Sequence, residues 1–228
     1  MKLFIFPFLV FLLFQNFSES AETRDFDIST IKKLDISNPK GEILVSTSAS
    51  AKKISVTIEK IQFDKQCHFL LDNNLGTLSV KVEHDRALFE KANCLSKLKI
   101  ELPTRLIDIE VTSGSSNIKL LDIQGKVDFS TATGPVEISG ETLRNIEGKT
   151  ATSNMRVSFT KCSSRADINL VSATGDAEIF LPVNCKIRVS HKSATGDLFN
   201  ELGESEEFQV HINSKSASGN LKVKKWQK

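Results

Sequence analysis

The sequence predicts an all-β chain folded as a single-domain β-solenoid, and three observations predict it. Six segments between residues 113 and 223 repeat one short pattern. Their starts lie 18, 19, 22, 21 and 23 residues apart, so one coil takes about 20 residues, the period of a stacked repeat. On both sides of each repeat apolar and polar residues alternate, which is the two-residue period of a half-buried strand.

The segments are SGSSNIKL from Ser113, TATGPVEI from Thr131, TATSNMRV from Thr150, SATGDAEI from Ser172, SATGDLFN from Ser193 and SASGNLKV from Ser216. Ahead of the pattern, Val127, Phe129 and Thr131 alternate with Asp128 and Ser130; Ile109, Val111, Ser113 and Ile168, Leu170, Ser172 do the same. Beyond it the alternation resumes in Val136-Glu137-Ile138, Ala177-Glu178-Ile179 and Leu221-Lys222-Val223. Between the two strands lies the corner, built on Gly134, Gly175-Asp176, Gly196-Asp197 and Gly219-Asn220. Glycine tolerates positive φ, and Asp or Asn bonds nearby backbone, so the chain bends there. One coil therefore reads strand, corner, strand, return loop.

Stacking the copies parallel and in chain order makes ladders of like residues. The second corner position is small throughout (Gly114, Ala132, Ala151, Ala173, Ala194, Ala217), as close approach of coils requires. The third is always a hydroxyl (Ser115, Thr133, Thr152, Thr174, Thr195, Ser218), able to bond along the stack. The middle of the second strand reads Lys119, Glu137, Arg156, Glu178, Phe199, Lys222, and its first four positions alternate in sign. Opposite charges side by side on neighbouring strands contribute roughly 0.2–1 kcal/mol per pair.

The first half is less regular. NPKGEILV from Asn38 and NNLGTLSV from Asn73 match the corner pattern in part, about two periods apart, which predicts degenerate coils around Lys53–Ile58 and Leu95–Ile100. The stretch from His84 to Asn93 has room for a helical turn or two. An N-terminal part unlike the repeats is what a solenoid needs to cap its open edge. The expected organisation is a signal peptide over 1–20, degenerate β-rich coils or cap over 21–108, and regular repeats over 109–228.

The leader reading rests on one Lys followed by an unbroken apolar run from Leu3 to Phe14, too short to span a bilayer. Ser18 and Ser20 place cleavage before Ala21; a retained anchor is the alternative. No later segment is apolar enough to cross a membrane. Removing Met1 to Ser20 takes away one Lys and one Glu, so the net charge stays at +2. That balance gives no footprint for nucleic acid, which needs a clustered basic face.

The recurrent T/S-A-T/S-G-D/N-hydrophobic unit behind a leader resembles the bacterial putative-adhesin family of extracytoplasmic β-solenoids, over residues 28 to 225 and most strongly from 109 to 223. The resemblance implies a right-handed coil, the usual hand of parallel crossovers. It implies no catalytic residues. The sequence departs from the family pattern at Ser116 and Ser153, where Gly is usual, and at His191 and Ser214, where an inward apolar residue is usual.

Four cysteines, Cys67, Cys94, Cys162 and Cys185, show no C-x-x-C spacing. Cys162 and Cys185 fall at nearly equivalent places on adjacent coils, about 4.8 Å apart in a sheet and within reach of a disulfide. Cys67 with Cys94 is the second expected pair; free buried thiols are the alternative. His191 reads as a core histidine, and His68, His84 and His211 share no repeat offset, so no zinc cluster is expected. Glu137 and Glu178 invite comparison with paired catalytic carboxylates, yet Arg156 falls between them. Asp176 and Asp197, on corners adjacent in chain order, are the best calcium candidates, without the spacing of a calcium-binding repeat. There is no nucleophile elbow and no phosphate or dinucleotide loop, so no metal or cofactor is expected. The basic tail KVKKWQK is expected to be a capping strand with Trp226 over the last coil. The function that follows is a non-catalytic exported envelope or surface protein presenting a solenoid face to an unidentified protein or glycan. The alternative is an enzyme acting on cell-wall or extracellular polysaccharide.

Overall fold

A computed structural model describes residues 21–85, 92–142 and 144–227. The expected leader over residues 1–20 and most of the stretch from His84 to Asn93, expected to hold a helical turn or two, lie outside the described residues. The chain is all-β. Its strands are β1 (Ala21–Phe26), β2 (Lys33–Thr47), β3 (Ile54–Phe63), β4 (Cys67–Asn74), β5 (Thr77–His84) and β6 (Cys94–Leu102). They continue with β7 (Asp108–Leu121), β8 (Val127–Thr131), β9 (Val136–Thr142), β10 (Ile146–Thr152), β11 (Met155–Lys161) and β12 (Ala166–Thr174). The last are β13 (Ala177–Leu181), β14 (Ile187–Ser193), β15 (Leu198–Asn200), β16 (Val210–Ser218) and β17 (Leu221–Lys225). All belong to one sheet.

Two long strands, β2 and β7, pass through a corner and lie side by side on both sides of it. Leu34 pairs with Ile109 before the corner and Ile43 with Ile118 after it. They divide the sheet into two columns. The first runs β4–β5–β2–β7–β8–β10–β12–β16–β14. The second runs β1–β3–β6–β2–β7–β9–β11–β13–β17–β15. A strand from each column, joined at a corner, makes one rung.

The rungs do not stack in chain order, and here the structure corrects the expectation. The rung formed last in sequence, β16–β17, is inserted between β12–β13 and β14–β15. The same manoeuvre occurs at the other end, where β2, early in sequence, lies between the later β5 and β6 on one side and β7 on the other. The C-terminal strands thus lie one rung inside the stack, and at the other end β2 lies between strands made after it.

The N-terminal part also differs from expectation. β3 runs antiparallel to β6, not as a parallel coil, and β1 pairs antiparallel with β3. The segment from Asn73 is no corner either. It is the hairpin turn between β4 and β5, with Leu75 and Gly76 at φ 50° and 83°. Gly76 supplies a positive φ to this tight hairpin as Gly41, Gly134 and Gly175 supply it at the coil corners.

Alternation puts one continuous core inside the columns. In the first, Leu78, Leu34, Ile109, Val127, Ile146, Ile168, Ile212 and Val189 form an unbroken buried row in strand order. In the second, Ile100, Val45, Leu120, Ile138, Val157, Ile179 and Val223 do the same. Removing one such side chain to Ala costs about 2–5 kcal/mol. Size is matched across rungs: Phe129 stands beside Gly148, and a Cβ on that glycine would lie 2.2 Å from the Phe129 ring. The two inward departures, His191 and Ser214, are direct neighbours on β14 and β16, at the C-terminal end of this column.

Candidate binding face

The corners position everything outside the core. Their first residue points inward and its hydroxyl closes the turn: Ser113, Ser193 and Ser216 accept from the N–H of Ser116, Gly196 and Gly219 at 2.8, 2.9 and 3.0 Å. Such turns are why Ser and Thr recur there. Hydroxyls also bond between rungs at this position, Thr150 to Ser172 and Ser216 to Ser193. Hydroxyl-to-hydroxyl bonds between rungs are thus made at the first position; at the third the side chains are exposed, and Ser115 donates to the Pro39 carbonyl of the neighbouring rung at 3.5 Å. The small second residues are exposed as well, yet at Gly114 a Cβ would stand 2.8 Å from the Pro39 carbonyl oxygen of the neighbouring rung.

The tight approach is at the fourth position. A Cβ on Gly134 or Gly175 would stand 2.3 Å from the carbonyl oxygen of Ser116 or Ser153. Both glycines have positive φ, 109° and 117°. Along the stack Gly41, Ser116, Gly134, Ser153 and Gly175 alternate, so the two Ser departures are buried partners of the glycines rather than lapses in the pattern.

At the fifth position the side chains run a ladder of their own. Asn154 Oδ1 accepts the N–H of Asp176 at 3.0 Å. Asp176 Oδ1 accepts both the N–H and the Nδ2 of Asn220, at 2.9 and 3.0 Å, and Asn220 Oδ1 accepts the N–H of Asp197 at 2.9 Å. Asp176 and Asp197 are thus separated by Asn220 and share no site. Among the described residues no group of three or more His, Cys, Asp or Glu is placed to hold a metal.

Next to this ladder lies the charge row of the second column. Insertion of β17 extends it to Lys119, Glu137, Arg156, Glu178, Lys222, five alternating signs, and moves Phe199 to the end. A shallow groove of about 520 Å³ runs along it, lined by Lys119, Glu137, Arg156, Asp176, Glu178 and Lys222. Lys224 donates to Glu178 at 2.8 Å and Lys222 to Asp176 at 3.4 Å. The Asn220 backbone N–H, then its side chain and Lys222, hold the Asp176 carboxyl below its ordinary value. Lys224 above all does the same for Glu178. Both carboxylates stay ionised, the opposite of a proton-donating acid. Arg156 lies between Glu137 and Glu178 and stacks on Phe180 at 4.4 Å, so the two glutamates form no pair.

The remaining candidates are dispersed. Cys67 is bonded to Cys94 and Cys162 to Cys185, each with Cα atoms 5.7 Å apart. Cys162 also borders two clefts between return loops, of about 720 and 600 Å³. His68 contacts Asp85 at 3.1 Å and His211 contacts Asp167 at 3.5 Å, far apart in the fold. Trp226 follows β17, not the end rung of the stack: its backbone N–H donates to the Leu181 carbonyl of β13 at 2.7 Å, and the residue borders a groove with Arg156 and Phe180.

Sequence reasoning missed the outer face of the first column. Three residues before each corner stand Asp35, Glu110, Asp128 and Glu147 on four consecutive rungs. Each has its own lysine: Lys81, Lys33, Lys126 and Lys149 at 2.8, 2.6, 3.0 and 3.3 Å. A constant offset from the corner is the signal that would have found them.

No protein-family model matches the chain, and no curated protein matches it. Solved structures do. A putative cell adhesion protein from Clostridium sporogenes aligns with a TM-score of 0.56 at 12% identity, over 91% of this chain and 99% of the other. A putative adhesin from Bacteroides fragilis aligns at 0.45 and 17% identity, over 90% and 98%. A putative lipid binding protein from Parabacteroides distasonis aligns at 0.45 and 17%, over 92% and 98%. The first of these likenesses establishes that the chain shares the fold of the clostridial protein along almost its whole length.

Proposed function

We propose that this chain is an exported, non-catalytic envelope or cell-surface protein. In this reading it is a right-handed β-solenoid of about 20 residues per coil that presents its outer faces to an extracellular protein or glycan. Residues 1–20 are its leader, cut after Ser20; 21–108 form the N-terminal cap and 109–228 the repeats, with Gly134, Gly175, Asp176, Gly196, Asp197, Gly219 and Asn220 as structural corner residues. The observation that carries the reading is the row from Lys119 to Lys222, whose alternating charges face solvent beside a shallow groove. Repeated chemistry on a stacked scaffold suits a repetitive target. Two disulfides fit an oxidising compartment. The clostridial protein with the shared fold is described as a putative cell adhesion protein, in line with this role.

The test is fractionation of cells carrying the native gene, followed by capture of envelope material on the purified mature chain. The expected result is a processed, disulfide-bonded protein outside the cytoplasm that retains envelope polymer, with retention lowered at least threefold by Lys119→Glu/Arg156→Glu. A cytoplasmic protein with free thiols, or release of reducing sugar ends from captured polysaccharide, would overturn it.

A further inference from the structure

The last three rungs of the first column carry a second face of different character. On β12, β16 and β14 the outward residues form a grid three deep and three wide: Asp167, His211, Arg188; then Asn169, Asn213, Ser190; then Val171, Lys215, Lys192. Insertion of β16 brings Asn213 beside Asn169 and Lys215 beside Val171, while Lys215 adjoins Lys192 on β14.

Lys215 and Lys192 are exposed and directly opposite each other on neighbouring strands, about 4.8 Å apart at the backbone. Like charges so placed repel. Elsewhere on this face Lys33, Lys81, Lys126 and Lys149 each sit on a carboxylate. Lys215 and Lys192 make no ion pair among the described residues. Their charge is left for something outside the chain. The middle row is amide and hydroxyl: Asn213 donates to Asn169 Oδ1 at 3.1 Å, which leaves the Asn169 amide N–H groups and the Ser190 hydroxyl facing outward. On the far side Phe208, 40% exposed, carries the Arg188 guanidinium at 4.4 Å and stands 5.6 Å from the His211 ring.

We propose that this grid binds an acidic polysaccharide through the carboxylates of its uronic-acid units. Lysines supply the charge, the Asn–Asn–Ser row supplies partners for sugar hydroxyls, and Phe208 supplies an apolar ledge. The rung spacing of about 4.8 Å is close to the length of one pyranose unit, so a chain running along the stack meets each row repeatedly. Phosphate polymers fit less well. Nucleic acid asks for a broad basic face, whereas the chain's net charge is only +2. The proposal rests on the surface-protein reading and names its ligand class.

The test measures affinity of the mature chain for polygalacturonate, with dextran, poly(glycerol phosphate) and single-stranded DNA as the other probes. Binding to polygalacturonate is expected to exceed binding to each of these. Lys192→Glu/Lys215→Glu should weaken it at least tenfold and Lys192→Gln/Lys215→Gln several-fold, while Lys52→Glu/Lys53→Glu, the same charge change at the far end, should leave it within twofold. Melting curves confirm that each variant is folded. Equal loss in the Lys52/Lys53 and Lys192/Lys215 variants, no loss in either, or tighter binding to the phosphate polymer or DNA would overturn the site. Such a result alongside envelope capture by the native chain removes this site alone. A cytoplasmic location removes the wider reading instead.

Discussion

The two ends of the stack close in different ways. At the N-terminal end the chain turns back on itself: β3 and β1 pair antiparallel outside β6, and β4 outside β5. A second inward row of the second column runs from fully buried Leu98, itself covered by Ile58 of β3, through Ile43, Ile118, Val136, Met155, Ala177 and Leu221. At the C-terminal end the same row finishes with Leu198 on β15, 42% exposed, followed by the exposed Phe199. Among the described residues a return loop covers that end, with the N–H of Ser205 bonded to the Ile187 carbonyl of β14. An antiparallel cap adds whole strands beyond the last parallel rung and seals the core. An inserted rung strengthens the layer below the end and leaves the end itself thin. The exposed edge is kept short instead, seven residues in β14 and three in β15, with Lys192 and Asp197 at or beside it, which discourages pairing with other chains.

The sharpest way to break this arrangement is at the corner on which the inserted rung stacks. Gly175→Val places a Cβ against the Ser153 carbonyl at a positive φ, and we expect a loss of more than about 3 kcal/mol in denaturant unfolding. The two ends are then compared directly. Leu98→Ala should cost about 3 kcal/mol and Leu198→Ala less than about 1 kcal/mol, so equal losses would show that the C-terminal end is as well covered as the other.

Asp176 tests the inserted rung. Its carboxyl is held below the ordinary Asp value by Asn220 and Lys222. The stabilisation is therefore complete above the unfolded value and lost as pH falls through the depressed one. Thermal melts should decline below about pH 4, and Asp176→Ala, which removes an acceptor for two Asn220 donors, should cost about 1–2 kcal/mol at pH 7 and flatten that decline. The smallest expected effect has the opposite sign. Lys215→Glu replaces a like-charge pair with an opposite one and should stabilise the fold by about 0.2–1 kcal/mol while weakening polygalacturonate binding.

Much of this was legible in the sequence because corner residues keep a fixed offset from the strands they join. The corner from Asn38 and the row around Glu137 and Arg156 follow from that register. Rung order was not legible, since alternation is blind to which rung is next. Two residues did carry a hint: in chain order Asp176 would meet Asp197 and Phe199 would interrupt the charge row, and the insertion removes both conflicts. The antiparallel direction of β3 was hidden because a two-residue period is the same in either direction. The turn at Leu75–Gly76 was misread because Asn and Gly serve hairpins and corners alike.

Insertion of β16–β17 also ties the outermost rung to the fate of residues made after it. Strands β14 and β15 are synthesised first, yet their neighbours in the native stack are β16 and β17. A nascent chain stopped near residue 209 offers them only β12 and β13, on which Asp197 would press against Asp176 with no amide between. Such a fragment forfeits two rungs, not one. The acceptance of the penultimate rung thereby reports that synthesis has run to the end of β17.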